Sequence, residues 1–265
     1  AGMKIFLVMF IVAVVCSVLA YVIAKLLKLP KPSAGAFVQA AFRGNLAFVG
    51  LPVILFAIEG ILGSTSPELE SWGTLAVLAI APLVPVYNIF GVLAMVSAKD
   101  HDETGLGKRL KVIVFRTVTN PLIISCALGL LWSATGLKLP TVMDRTLEVI
   151  AGISLTLALF SVGASLKLRK LREGFNYAMV AGLMKCVLCP VLGYFIGRAM
   201  GLSGLGLQIA LIYLACPTAV ASFVMAEQMG ADKELTAKTI VLTVLICLPV
   251  MMGILSLCRF LGVTQ

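Results

Sequence analysis

Charge is what this sequence has least of. Only 12% of its 265 residues are Asp, Glu, Lys or Arg, against about a quarter in an ordinary soluble domain. So little charge excludes a soluble globular fold. Histidine is nearly absent as well: His101 is the only one, alone in the polar "AKDHDETGLGKR" stretch and solvated there. That removes the two-histidine HExxH zinc motif, and no GxSxG elbow or GxxxxGKS/T phosphate loop occurs. Hydrolysis and nucleotide-driven chemistry therefore lack their motifs, and the chain is expected to be neither an enzyme nor a cofactor or metal protein. Acidic residues are scarcer than basic ones, 12 against 21. In a soluble chain that excess would suggest nucleic acid; here the basic residues lie mostly between apolar runs, where they set membrane topology.

What is abundant is apolar length. Hydrophobic residues make up 60% of the chain, and the mean hydropathy is +1.08. Eight runs are long enough to span a bilayer, about 3–28, 34–62, 71–97, 109–134, 140–166, 174–200, 203–228 and 236–261, each near or above the ~20 residues a hydrocarbon core requires. The fold class is thus all-α and polytopic. Loops one, three, five and seven carry most of the Lys and Arg. The positive-inside rule then places them in the cytoplasm and both termini outside, with the plasma (inner) membrane as the expected location. The seven cysteines all lie in apolar runs, where small buried thiols are ordinary; the Cys186/Cys189 pair is a weak signal for metal or redox work.

Several runs contain their own interruption. "GNLAFVGLPVILFAIEG" holds Gly50 and Pro52, and "IYLACPTAVASFVMAEQMG" holds Cys216, Pro217 and Thr218; the two prolines lie 165 positions apart. Pro82 and Pro85 in the next run correspond in the same way to Pro249. Spans one to three therefore repeat as six to eight, and the loop charges make the repeat inverted. Broken helices at membrane depth expose backbone groups that lipid cannot satisfy. They are the mark of secondary transporters, where two breaks form one site near the midplane. Residues 1–97 are read as a first repeat of three spans, 98–108 as a cytoplasmic loop and 109–265 as a second repeat of five spans. On this reading the first repeat lacks its first two spans.

The pieces "GNLAFVGLP", "RTVTNPLIISCALGLLWS", "LALFSVGASL", "MKCVLCPVLGY" and "CPTAVASFVMAEQMGADKELTAKTIVLTVLICLP" occur in this order over about residues 40–250. Together they resemble the auxin efflux carrier family of membrane permeases, which includes bacterial malate-permease-like proteins and plant PIN-type auxin carriers. The resemblance implies ten spans in two inverted five-helix repeats, with two broken helices crossing at the substrate site. The eight spans here would be the third to the tenth.

Candidate site residues follow from the breaks and from polar groups at depth. Asn45 matches the family asparagine before the first break; its amide can donate to a carboxylate, or it can cap the backbone. Gly50 and Pro52 form the first break, and Cys216, Pro217 and Thr218 the second. Thr218 can serve substrate or bond back to its helix, and Ser222 lies one turn on. The resemblance places Asn120 near the transport path; the alternative is an interhelical hydrogen bond. Ser161 and Ser165 line one helical face, for substrate or for close packing. Lys185 lies mid-span, where a lysine costs roughly 2.5–3.5 kcal/mol. It can replace a coupling ion, attract an anion, or bind backbone carbonyls. Arg43, Arg116, Glu59, Glu148 and Glu227 are read as interfacial, with a proton route as the alternative for Glu59 and Glu227.

The expected function is secondary transport of a small organic anion, a carboxylate or auxin-like molecule, by alternating access. The alternatives are a sodium-coupled organic anion symporter of the bile-acid type and a receptor or sensor that has lost transport. The expected partners are the anion and the lipid bilayer, not nucleic acid; a homodimer is left open.

Overall fold

The computed structural model describes residues 2–63, 66–97, 111, 114–115, 118–119, 121–165 and 173–260. Asn120, Arg116, His101 and the loops at 98–108 and 167–172 lie outside them. The described residues are almost wholly helical. Helix α1 is Gly2–Leu26, α2 Lys31–Phe42, α3 Leu51–Leu62, α4 Glu68–Ile80, α5 Leu83–Ser97, α6 Pro121–Ala134 and α7 Thr141–Ser165. Then come α8 at Phe175–Leu183, α9 at Cys189–Ala199, α10 at Gly204–Ala215, α11 at Ala221–Gln228 and α12 at Lys233–Phe260.

The apolar runs form helices whose outer faces suit lipid. In α1 the buried stripe Ile5, Val8, Met9, Val12 and Cys16 recurs every three or four residues. The opposite face, with Leu7, Ile11, Val18 and Val22, is apolar and exposed. Among the described residues, four stretches have the length and hydropathy to cross a membrane: Gly2–Leu26, Glu68–Val96, Phe175–Ala199 and Lys233–Cys258. The α6–α7 pair also presents a broad apolar surface, with Leu128, Leu131, Leu147 and Phe160 exposed. Val162 of α7 is buried in a small cluster with Val220 and Phe223.

The most enclosed helices are α2 and α10. Every residue of α10 from Leu205 to Ala215 is buried, as is α2 from Gly35 to Phe42. Each has 12 residues, about 18 Å, well short of a core about 30 Å thick. Each ends inside the packed helices, and the chain resumes beyond it as a further helical segment.

Prolines 52 and 190 are accommodated without a break. Each lies in the first turn of a helix that follows a π-turn, Leu46–Gly50 before α3 and Met184–Leu188 before α9. The wider turn relieves the clash between a proline ring and the carbonyl four residues back. This corrects the placement of the first break. The chain leaves the helix at Arg43 (φ −79°, ψ 106°) and Asn45 (φ −82°, ψ 70°), while Pro52 sits exposed on α3. The second break falls where expected, with Cys216 at φ −51°, ψ 148°, the extended geometry a following proline favours.

The helix lengths recur at a spacing other than 165. Gly2–Leu26 and Phe175–Ala199 are both 25 residues long, and start 173 positions apart. The 12-residue helices α2 and α10 start at 31 and 204, again 173 apart. The proline spacing of 165 fits only the segments beyond the breaks.

Candidate functional site

The two breaks meet. The Asn45 N–H donates to the Pro217 carbonyl at 2.8 Å, and the Ala219 N–H donates to the Arg43 carbonyl at 3.0 Å. They make a short antiparallel bridge between Gly44 and Thr218. Lipid could satisfy none of these groups; here each break satisfies the other.

Side chains meet further carbonyls near the ends of α2 and α10. The Thr218 hydroxyl donates to Ala40 O at 2.8 Å, and the Lys185 ammonium to Leu214 O at 2.5 Å. The Cys189 thiol lies 3.7 Å from Ala41 O. Lys185 is buried to 1% exposure, and its charge sits at the negative end of α10, where a cation is favoured. So of the roles open to Lys185, contact with a backbone carbonyl is present. Gly44 makes room for it: a Cβ there would stand 3.1 Å from Lys185 Cε and 3.2 Å from Nζ.

A cavity of about 310 Å³ opens beside the crossing, lined among others by Arg43, Asn45, Leu46, Asn88, Ala219 and Val220. The half-helices that resume after both breaks begin on its wall. The N–H groups of a first helical turn have no intrahelical partner and favour negative charge. None of the described lining residues is acidic. The cavity can therefore hold a small anion.

Asn45 lines this cavity, 7% exposed. Its side chain makes no capping bond, so the capping alternative is not realised and its amide is available to a ligand. The other expected contacts lie off the cavity wall. Gly50 packs behind the crossing, where a Cβ would stand 2.6 Å from Cys216 Sγ and 2.7 Å from Tyr213 Cδ1. Cys216, Pro217 and Thr218 build the crossing itself. Ser222 is fully buried, its hydroxyl without a hydrogen-bond partner among the described residues. The Ser161 hydroxyl bonds back to Leu157 O at 2.9 Å. The cysteines of the C-x-x-C go separate ways, Cys186 Sγ to Thr243 O at 3.6 Å and Cys189 Sγ to Cys16 Sγ at 3.2 Å.

Two residues were missed. Arg43 is not interfacial: it is 5% exposed and lines the cavity, its guanidinium donating to Asn88 Oδ1 and, at 3.5 Å, to Met225 Sδ. Asn88 is 3% exposed on α5. Both could have been found by depth. Arg43 lies 12 residues beyond Lys31, about 18 Å along a helix and past the middle of the core. Asn88 interrupts "LVPVYNIFGV", an otherwise apolar run, and amides at depth face the protein interior.

Long apolar helices around a polar, buried crossing define an integral membrane protein. A family model described as membrane transport protein matches residues 2–255, so the chain belongs to that family, the one that includes the auxin efflux carriers. It is similar to an uncharacterized transporter of Methanocaldococcus jannaschii, 24% identical over 247 residues that cover 91% of this chain and 74% of the relative. Auxin efflux carrier component 1 of Arabidopsis thaliana is 27% identical over 161 residues, 58% of this chain and 26% of the relative. The protein named "Putative malonate transporter" in Rhizobium meliloti is 30% identical over 154 residues, 56% of this chain and 46% of the relative. The chain thus matches about three quarters of the archaeal transporter's length and about a quarter of the plant carrier's.

Proposed function

We propose that this protein is a secondary carrier of a small organic anion that works by alternating access, with the substrate held at the crossing. One observation carries the reading: two half-helix N-termini and the uncommitted Asn45 amide meet on the wall of one cavity beside two mutually bonded breaks. Such termini favour negative charge, and irregular backbone at membrane depth is tolerated where it serves a site. The names of the relatives, auxin efflux carriers and a malonate transporter, support a carboxylate.

The matched helix lengths at a spacing of 173 support two repeats, and the loop charges support their inversion with both termini outside. Cys16 and Cys189, themselves 173 apart, touch at 3.2 Å. Equivalent residues of two symmetric units meet only on the axis that relates them. Lys185 favours charge compensation over sodium coupling. Its ammonium already occupies a half-helix C-terminus, the kind of place where transporters of this design bind a coupling cation.

Uptake of labelled malonate or indole-3-acetate into proteoliposomes tests the reading. The expected result is saturable uptake that is unchanged when sodium is replaced by choline. Asn45→Ala is expected to weaken binding at least about tenfold while the protein stays folded, since a lost hydrogen bond to a charged group is worth about 1.5–3 kcal/mol. Sodium-dependent uptake would favour the bile-acid type of symporter. Binding without uptake would favour a sensor.

A further inference from the structure

We infer that Thr243 of α12 is a positioning residue of the ligand site: its hydroxyl holds the second break so that the first N–H groups of α11 face the cavity. The inference rests on the anion-carrier reading above and adds to it a residue that touches no ligand. Its basis is the bridge between the breaks. The Asn45 N–H bonds to Pro217 O and the Ala219 N–H to Arg43 O, so Gly44 and Thr218 face each other as a pair that exchanges no bonds. The main-chain N–H of each then points away from the other. For Thr218 that N–H is met by Thr243 Oγ1 at 3.0 Å. Thr218 is 1% exposed and Thr243 is fully buried, and lipid would leave such a group unpaired.

The Thr243 hydroxyl is itself directed. It donates to Ile240 O at 2.9 Å, which leaves a lone pair for the Thr218 N–H. Thr236 and Thr239 lie on the same face of α12 at helical spacing and are as fully buried. Their hydroxyls bond back to Asp232 O and Leu235 O. Among the described residues, Thr243 is the threonine of α12 whose hydroxyl also reaches another element. Its carbonyl meets the Cys186 thiol at 3.6 Å, beside Lys185 on the π-turn. One turn of α12 thus touches both the second break and the segment that carries the buried ammonium.

What this hold fixes is the start of α11. The Thr218 hydroxyl goes to Ala40 O at 2.8 Å, so the residue is gripped from two sides, by α2 and by α12. The Ser222 and Phe223 N–H groups bond to the Ala219 and Val220 carbonyls. Among the described residues the N–H groups of Val220 and Ala221 have no partner. Both residues line the cavity, together with the uncommitted Asn45 amide. Donors aimed in advance bind a carboxylate without the cost of ordering them. Without the Thr243 hydroxyl, the buried Thr218 N–H would have to turn toward another acceptor, and the N–H groups beyond it would turn with it.

The test separates direction from packing. Thr243→Val keeps the branched shape and deletes the acceptor; Thr243→Ser keeps the acceptor and deletes the methyl. Thr239→Val, one turn away and equally buried, deletes a hydroxyl that bonds back to its own helix. Dissociation constants for malonate and indole-3-acetate are measured by titration calorimetry on the purified protein in detergent, with thermal midpoints and hydrogen exchange over 217–221. Thr243→Val is expected to bind the carboxylate that wild type binds about tenfold more weakly, the worth of a misdirected hydrogen bond to a charged ligand, and to exchange faster over 217–221. Thr243→Ser and Thr239→Val should bind as wild type does. Should Thr243→Val not fold, Thr243→Ala removes the same acceptor without placing a methyl there and carries the same expectation. Affinity unchanged by loss of the Thr243 hydroxyl, or lowered equally in Thr239→Val, overturns the inference and leaves the carrier reading standing. A folded wild type that binds neither carboxylate overturns both.

Discussion

At the first break the last carbonyls of α2 are met by a hydroxyl and a thiol, from Thr218 and Cys189; at the second, the carbonyl of Leu214 is met by the ammonium of Lys185. Ala41 and Leu214 stand 173 positions apart, the spacing between the starts of the helices that lead into the breaks. One helix end is therefore closed by a weak neutral donor and the other by a full charge. A shared way of ending two helices allows unlike electrostatics at the two ends. The cavity shows the same inequality: Arg43 stands at its wall, while Cys216, 173 positions further on at the second break, is buried in packing.

The largest effect is expected from erasing this difference. Lys185→Met removes the charge and keeps most of the volume. Transport should fall at least about tenfold. Stability should move by no more than ~2 kcal/mol, because relief of a buried charge offsets the unpaired Leu214 carbonyl. Uptake assays and thermal unfolding separate the two effects. A fully active variant would reduce Lys185 to a packing residue. Next in size is Gly50→Ala. A methyl there would stand 2.6 Å from Cys216 Sγ and 2.7 Å from a Tyr213 ring carbon, and overpacking of this kind costs about 1–3 kcal/mol. Thermal unfolding should show a midpoint lower by several degrees. An unchanged midpoint would mean that the first half-helix can move away from the second.

The same comparison explains how much could be read from sequence. The second break was legible because proline marks it: Pro217 forces Cys216 out of helical geometry. The first carries no proline at the point where the chain departs. Its marker is Gly44, where a Cβ would crowd the Lys185 side chain, a contact between residues 141 positions apart that no local pattern encodes. Pro52 drew attention instead, and a π-turn absorbs it. The all-helical membrane class followed from apolar run length alone. Asn45 and Lys185 were visible because polar groups are rare at that depth. Arg43 was misread because the helix begins at Lys31, earlier than its apolar run suggests, which carries residue 43 deeper.

A smaller effect is expected from Thr218→Val, which keeps the branched shape and deletes the hydroxyl. The Ala40 carbonyl then loses its 2.8 Å partner, at a cost of about 1–3 kcal/mol if it stays dry. Urea or thermal unfolding measures it. A cost near zero would show that water reaches the end of α2, so that the first break is the wetter of the two.

Cys189→Ala is expected to have the least effect, and it tests the inequality from the weak side. Its thiol touches Ala41 O at 3.7 Å and Cys16 Sγ at 3.2 Å. A thiol is a weak donor that packs as a small hydrophobe, so its loss should cost ~1 kcal/mol or less and leave transport intact. Lys185→Met and Cys189→Ala thus remove the donors at equivalent carbonyls. If the charge at Leu214 serves transport, the two variants part in uptake far more than in stability. If both donors only close helix ends, uptake should follow stability in each, and the difference between the halves would carry no functional weight.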